Sequence, residues 1–168
     1  MKQPVYVVSY DPSWPDEFEK IRSSLGDEII QLAIAIEHVG STSVPGLAAK
    51  PIIDMDVVIP IGRFYKVKDL LEKQGYQHEG DKGILGREAF RYEDKPHLMQ
   101  HHLYVVEQGN NELHRHIVFR NWLRTHCEDR DAYAAVKLKM AQIHRNDRDA
   151  YMQGKAAIIE EIYKKCGL

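Results

Sequence analysis

The chain is poor in the features that fasten or anchor a protein from outside its own core. Two cysteines, Cys127 and Cys166, stand far apart among 168 residues, which argues against a disulfide framework and leaves no cysteine spacing of a metal knuckle. No apolar run is long enough to span a bilayer, and the opening "MKQPVYVVSYDPSWP" has no stretch of signal-peptide length. Neither sign of charge dominates: 23 Lys and Arg against 25 Asp and Glu leave a net charge of −2. There is accordingly no strong nucleic-acid signal and nothing that reads as membrane attachment. Repeats and low-complexity tracts are missing too. These absences lead to the expectation of a reduced, cytoplasmic globular protein, with 43% hydrophobic and 29% charged residues to form a core and its surface.

What is present falls into two halves. "VYVVSY" reads as a short strand or arm. A helix should follow, with Ser13 as a capping residue, Asp16 completing a capping box and Pro15 in the first turn. Phe18, Ile21, Leu25, Ile29, Leu32 and Ile36 recur at spacings of three and four, and Gly26 interrupts the stripe. "IAIEHV" reads as a first core strand and "PIIDMDVVIP", between Pro51 and Pro60, as a second. An amphipathic helix over 64–74 precedes shorter strands at "YQHE", "REAFRYE" and "QHHLYVVE". From Asn111 onward the pattern is helical in three segments. The order predicts one α+β unit over 1–168, with a small mixed β-sheet flanked by helices over 1–110 and a C-terminal helical segment over 111–168.

The chemical signal sits on the second strand. Asp54 and Asp56 are two residues apart, so a strand points both carboxylates to one face. Like charges side by side repel, and burying them unpaired is unfavourable, so a cation is the natural companion. Before them runs Gly40-Ser41-Thr42-Ser43, where a bare glycine, backbone N–H groups and three hydroxyls suit phosphate oxygens. Lys50, just ahead of the strand, and Lys137 and Lys155, on the tail, could neutralise phosphates. Tyr133 with Lys137 and Tyr151 with Lys155 repeat a Tyr-x-x-x-Lys spacing that places each pair on one helix face. The competing explanation for that repeat is lysines snorkelling over packed tyrosines. In "QHHLYVVE", His102 and Tyr104 share a face and His101 points away. His114 and His116 read as surface residues.

A glycine and serine after a strand, followed at this distance by Asp-hydrophobic-Asp-hydrophobic, resembles the signature of the nucleotidyltransferase superfamily, with the DNA polymerase β-like fold. More narrowly, "YDPSWPDEFEKI", "EHVGSTSVPGLAAKPIIDMDVVI", "HHLYVVE" and "HIVFRNWLR" resemble the GrpB family, as do "AYAAVKLKMA" and "YMQGKAAIIEEI". The resemblance implies a nucleotidyltransferase-like fold with a site around Gly40, Ser41, Asp54 and Asp56. Active members of the superfamily complete the metal site with a third carboxylate on a neighbouring strand, where this chain has His102 or Tyr104.

The resulting expectation is a nucleotidyltransferase-like protein that binds a nucleotide, or another phosphorylated small molecule, with a divalent metal. It would transfer a nucleotidyl group to an acceptor, with Asp54 and Asp56 as catalytic residues. Asp54, Asp56 and His102 are the expected metal ligands. Mg²⁺ or Mn²⁺ suits the carboxylates and Zn²⁺ the imidazole. Two other readings compete: a non-catalytic nucleotide-binding or interaction module that retains the fold, and a metal-dependent phosphohydrolase using Asp54, Asp56 and His102.

Overall fold

A computed structural model describes residues 4–168. Two helices open the chain, α1 at Trp14–Ser24 and α2 at Asp27–Leu32. Gly26, at φ +86°, turns the chain between them and ends the single apolar stripe of the sequence. Ser13 does not cap α1 with its side chain. Its backbone N–H donates to the Asp11 carboxylate at 2.8 Å instead, so the capping box is replaced by a turn one step earlier. "VYVVSY" forms no strand and contributes a single antiparallel bridge between Val8 and Ala49.

The sheet has five strands: β1 Ala35–Val39, β2 Ile53–Ile59, β3 Tyr76–Gly80, β4 Arg87–Tyr92 and β5 His101–Glu107. A helix, α3 Phe64–Lys73, links β2 to β3. The order across the sheet is β1-β2-β5-β4-β3, with β2 parallel to β5 and every other pair antiparallel. Strand β2 is therefore interior, which explains its near-continuous apolar sequence. Its Ile53, Met55, Val57 and Ile59 meet Trp14, Phe18, Ile21, Ile29, Val67 and Leu71 in the main core under α1–α3.

The opposite face of the sheet is polar and lies under the tail helices α4 Asn111–Thr125, α5 Cys127–Ile143 and α6 Arg148–Cys166. The Asn110 side chain starts α4 directly after β5 by accepting from the N–H groups of Glu112 and Leu113. Val58, Val106 and Leu113 seal one end of this face. Val44 and Leu47, in the loop before β2, pack into the tail with Leu123, Tyr133 and Ile162. Helices α5 and α6 approach closely at Gly154, where a side-chain carbon would collide with Met140.

Two buried histidines stay neutral within this architecture. His38 stacks on Phe18 with ring centroids 4.8 Å apart, and burial draws its pKa down to about 4. His101 bonds the Tyr76 hydroxyl at 2.8 Å, and burial likewise draws it down to about 4. The unfolded chain takes up protons on both rings near pH 6.5, before the folded chain does. Stability is therefore complete above pH 6.5 and lost as pH falls toward 4. Thermal midpoints measured from pH 7 to pH 4 should drop steeply over that window; a flat profile would refute the neutral burial of both rings.

Candidate functional site

The polar face of the sheet is set by register. Asp54 lies opposite His102 and Asp56 opposite Tyr104 across the parallel β2–β5 pair, and Glu37 of β1 lies opposite Asp56. Paired residues share a face, so three acids and two aromatic rings line one surface. His102 and Tyr104 thus stand beside the aspartates, while His101 sits in the opposite core, as alternation requires. His97 and His114 are exposed and far from any role in this cluster.

Gly40 has a more local reason to be glycine than an approaching phosphate. It has φ +72°, and a side-chain carbon there would collide with the Asp54 carboxylate. The strand acid and the turn before it interlock. Thr42 and Ser43 are buried, and their hydroxyls are already engaged. Thr42 Oγ1 meets His38 Nε2 at 2.9 Å, and Ser43 Oγ donates to the Gly40 carbonyl at 2.5 Å. Arg124 fastens the turn further by donating to the Ser43 carbonyl at 2.7 and 3.0 Å. Of the hydroxyl run, only Ser41 and Thr42 face the pocket described next; Ser43 does not.

A pocket of about 220 Å³ opens between β2, β5 and the tail, lined by Ser41, Thr42, Lys50, Asp54, His102 and Lys137. Arg148, Tyr151 and Lys155 close it from α6. Residues from both halves of the chain, set apart by some ninety positions, therefore meet where the sequence pattern placed a phosphate site. Asp56 is not part of its lining.

The lysines do not snorkel. Lys137 is only 2% exposed, and its Nζ is buried without a hydrogen-bond partner among the described residues, 4.8 Å from the Tyr133 ring centroid. Burial, and then the nearby Lys155, push its pKa well below the ordinary lysine value, with Asp54 opposing. Lys155 is also buried and is drawn down to about 8, by burial first and then by Lys50. Lys155 and Lys50 share the Tyr151 ring, at 4.5 and 4.7 Å from its centroid. Asp54 is the one carboxylate lining the pocket.

The aspartates are held by two different histidines. His102, with its side chain 45% exposed, places Nδ1 2.9 Å from Asp54 Oδ1. His116, expected on the surface, instead places Nδ1 2.7 Å from Asp56 Oδ2. It is half-buried because α4 crosses the polar face directly above the fully buried Asp56. Its Nε2 lies 3.3 Å from Glu112. Burial opposes protonation of His116, but the hydrogen bond and charge of Asp56, with Glu112 and Asp54, outweigh it and raise its pKa. The other Asp56 oxygen, Oδ1, is buried with no partner among the described residues. Glu37, which sequence reasoning passed over, is clasped by Arg120 at 2.6 Å. The alternation that singled out Asp54 and Asp56 extends to Glu37 one strand earlier. No local signal pointed to His116.

Two variants probe these charges. Replacing a buried, unpartnered amine by an apolar side chain of like shape removes an unfavourable burial of about 1–3 kcal/mol. Lys137→Met should therefore raise the thermal midpoint of the ligand-free protein by about 2–12 °C. An unchanged or lower midpoint would mean that the amine is satisfied. His116→Ala strips Asp56 of its partner and should cost about 3–5 kcal/mol in denaturant titrations; a loss under about 1 kcal/mol would mean that Asp56 does not depend on it.

The chain has clear relatives. A UPF0157 protein of Halalkalibacterium halodurans is 39% identical over 96% of this chain and 82% of its own length. The UPF0157 protein YqkA of Bacillus subtilis is 36% identical over 92% of this chain, which spans only 45% of that relative. More distantly, a dephospho-CoA kinase of Mycolicibacterium paratuberculosis is 24% identical over 98% of this chain and 46% of that protein. The crystal structure of the conserved protein GrpB from Enterococcus faecalis superposes with a TM-score of 0.83 at 35% identity, covering 96% of both chains. The profile of the family described as GrpB protein matches residues 4–165. The chain belongs to the GrpB family.

Proposed function

We propose that this chain binds the phosphates of a nucleotide together with a divalent cation, on a sheet of the nucleotidyltransferase type, and transfers a nucleotidyl group to an acceptor. The observation that carries the reading is Lys137, a basic side chain that is buried, unpartnered and part of the pocket wall. Lys50, Lys155 and Arg148 join it against the single carboxylate of Asp54. An anion is the ligand that such a wall lacks. At about 220 Å³ the pocket is smaller than the roughly 300–1,000 Å³ that encloses a whole drug-sized ligand. It suits the phosphates, leaving the nucleoside to extend over exposed Arg148 and Met152. That one relative is named a dephospho-CoA kinase is in keeping with a phosphorylated ligand.

The donor set fits a cation that arrives with its ligand. Among the described residues no three His, Cys, Asp or Glu side chains group into a metal cage. Mg²⁺ characteristically takes one or two carboxylates together with substrate phosphates and water. Asp54 is the carboxylate in the pocket wall, and Asp56, buried beside it on the same strand face with Oδ1 unpartnered among the described residues, would be the second. His102 adds an imidazole that suits Mn²⁺ or Zn²⁺. A cation held there supplies charge neutralisation and orientation of the phosphates. Asp54 and Asp56 hold it, the Gly40–Ser41 turn buttresses Asp54, and the lysines bind and orient the remaining phosphate oxygens.

A second reading rests on β5. It offers His102 and Tyr104 opposite the aspartates and no third carboxylate, and Glu37, the acid across on β1, is already clasped by Arg120. That arrangement favours a module that binds a nucleotide without transferring it.

Thermal midpoints against the four ribonucleoside triphosphates, with Mg²⁺ or Mn²⁺, test the binding. A ligand at about a hundred times its Kd adds about 2.7 kcal/mol, or about 5–10 °C for a chain of this size. Asp54→Asn should remove the metal-dependent part of the rise, and Lys155→Met the remainder. His102→Ala should reduce the Mn²⁺ increment more than the Mg²⁺ increment. No rise with any nucleotide or metal would end the reading. Release of pyrophosphate by the protein separates transfer from binding alone.

A further inference from the structure

The pocket's charges do not balance among themselves, and the imbalance has a particular size. Lys50 enters from the loop before β2, Lys137 from α5, and Arg148 and Lys155 from α6. Facing them are Asp54 from β2, His102 from β5, Tyr133 from α5 and Tyr151 from α6. His102 is hydrogen-bonded to Asp54, and Asp56 is matched by His116 outside the pocket wall. Arg148 is exposed and Lys50 half-buried, so each keeps a hydrated charge. Lys137 Nζ is buried, with no carboxylate within 4.0 Å and no hydrogen-bond acceptor among the described residues.

We propose that Lys137 is a specificity-determining residue, selecting ligands that carry a diphosphate over ligands that carry one phosphate. This rests on the reading of the pocket as a phosphate site and adds which phosphates it takes. Lys50, Lys155 and Arg148 are three cations, and Asp54 is one anion, so the wall has a formal surplus of two positive charges without Lys137. A single phosphate ester, at about 1.5–2 negative charges near neutral pH, balances that surplus. Lys137 then remains the uncharged amine that its burial favours. A second phosphate brings about one further negative charge, and protonation of the buried amine matches it. An opposite charge close by in a dry setting restores the charged form of a lysine. Binding of a diphosphate therefore draws one proton from solution, and binding of a monophosphate does not draw it through Lys137. The sign follows: as pH rises past the pKa of Lys137 in the free protein, affinity for the diphosphate falls, and affinity for the monophosphate lacks that component.

Isothermal titration calorimetry with inorganic pyrophosphate and inorganic phosphate provides the test, since neither probe has a base to be misplaced. Excess chelator keeps divalent ions out, so that the charges counted are those of the side chains. Runs at about pH 7.5 in buffers of differing ionisation enthalpy give the net protons taken up on binding, and comparing wild type with variant for the same anion cancels that anion's own ionisation. The expected result is about one more proton taken up with pyrophosphate by the wild type than by Lys137→Met. Pyrophosphate should also bind the wild type at least about tenfold tighter than phosphate does, a preference that shrinks to about threefold or less in the variant. Phosphate affinity should fall less than pyrophosphate affinity does. Lys137→Gln serves in the same role should the methionine variant not fold. Equal proton uptake in wild type and variant, or a preference that survives the substitution, overturns the selection by Lys137 while leaving the phosphate site standing. Failure of both anions to bind the wild type without divalent ions overturns this inference, and failure again with Mg²⁺ or Mn²⁺ added overturns the phosphate site as well.

Discussion

The constraint on which the rest depends is the burial of Asp56. A carboxylate with no solvent exposure in the middle of an interior strand must find its counter-charge within the protein, or the fold carries a penalty of several kcal/mol. His116 supplies that charge from α4, and Glu112 one turn earlier on the helix steadies it from the other ring nitrogen. The helix is thereby tied to the sheet at a defined height. Once α4 is set, Arg120 reaches Glu37 and Arg124 reaches the Ser43 carbonyl, so the same helix also positions the turn that abuts Asp54. One buried acid organises the contact between the two halves of the molecule.

The second feature of the polar face is a division of labour between acids and bases. The sheet contributes Glu37, Asp54 and Asp56, and the tail contributes Lys137, Arg148 and Lys155. Neither set neutralises the other fully. Asp56 and Glu37 have their own partners, while Lys137 has none and Asp54 must serve several cations at once. Tyr133 and Tyr151 lend their ring faces to the lysines, which eases burial without discharging it. Close packing at Gly154 keeps α6 near α5, so Lys155 cannot relax away from Lys137 without parting the two helices.

Much of this was legible in the chain because strand periodicity is a strong local code. The alternation in "PIIDMDVVI" located the interior strand and the shared face of the aspartates, and the parallel pairing with "HHLYVVE" set His102 and Tyr104 beside them. The repeated Tyr-x-x-x-Lys spacing marked two lysines that do meet at one pocket with Lys50. What stayed hidden depends on contacts between distant parts of the chain. His116 looked like a surface residue because nothing in its neighbourhood reveals that α4 crosses over Asp56, sixty positions away. Ser13 had the composition of a cap but not its backbone geometry, since Asp11 captured its N–H first. The glycine at position 40 was legible as a necessity, though its reason lay in Asp54.

The division of the pocket between halves of the chain also orders its assembly in time. The last strand of the sheet ends at Glu107, whereas the last pocket lysine is residue 155. At the pace of a translating ribosome, about 5–20 residues per second, those 48 intervening residues take about 2–10 seconds to appear. His116 follows the sheet within the first turns of α4, but through that interval the acidic face lacks the full set of tail lysines that line the finished pocket. Glu37, on the edge strand β1, is the kind of charge that discourages edge-to-edge association. The acids of the polar face are thus made well before the lysines of α5 and α6 that face them across the pocket.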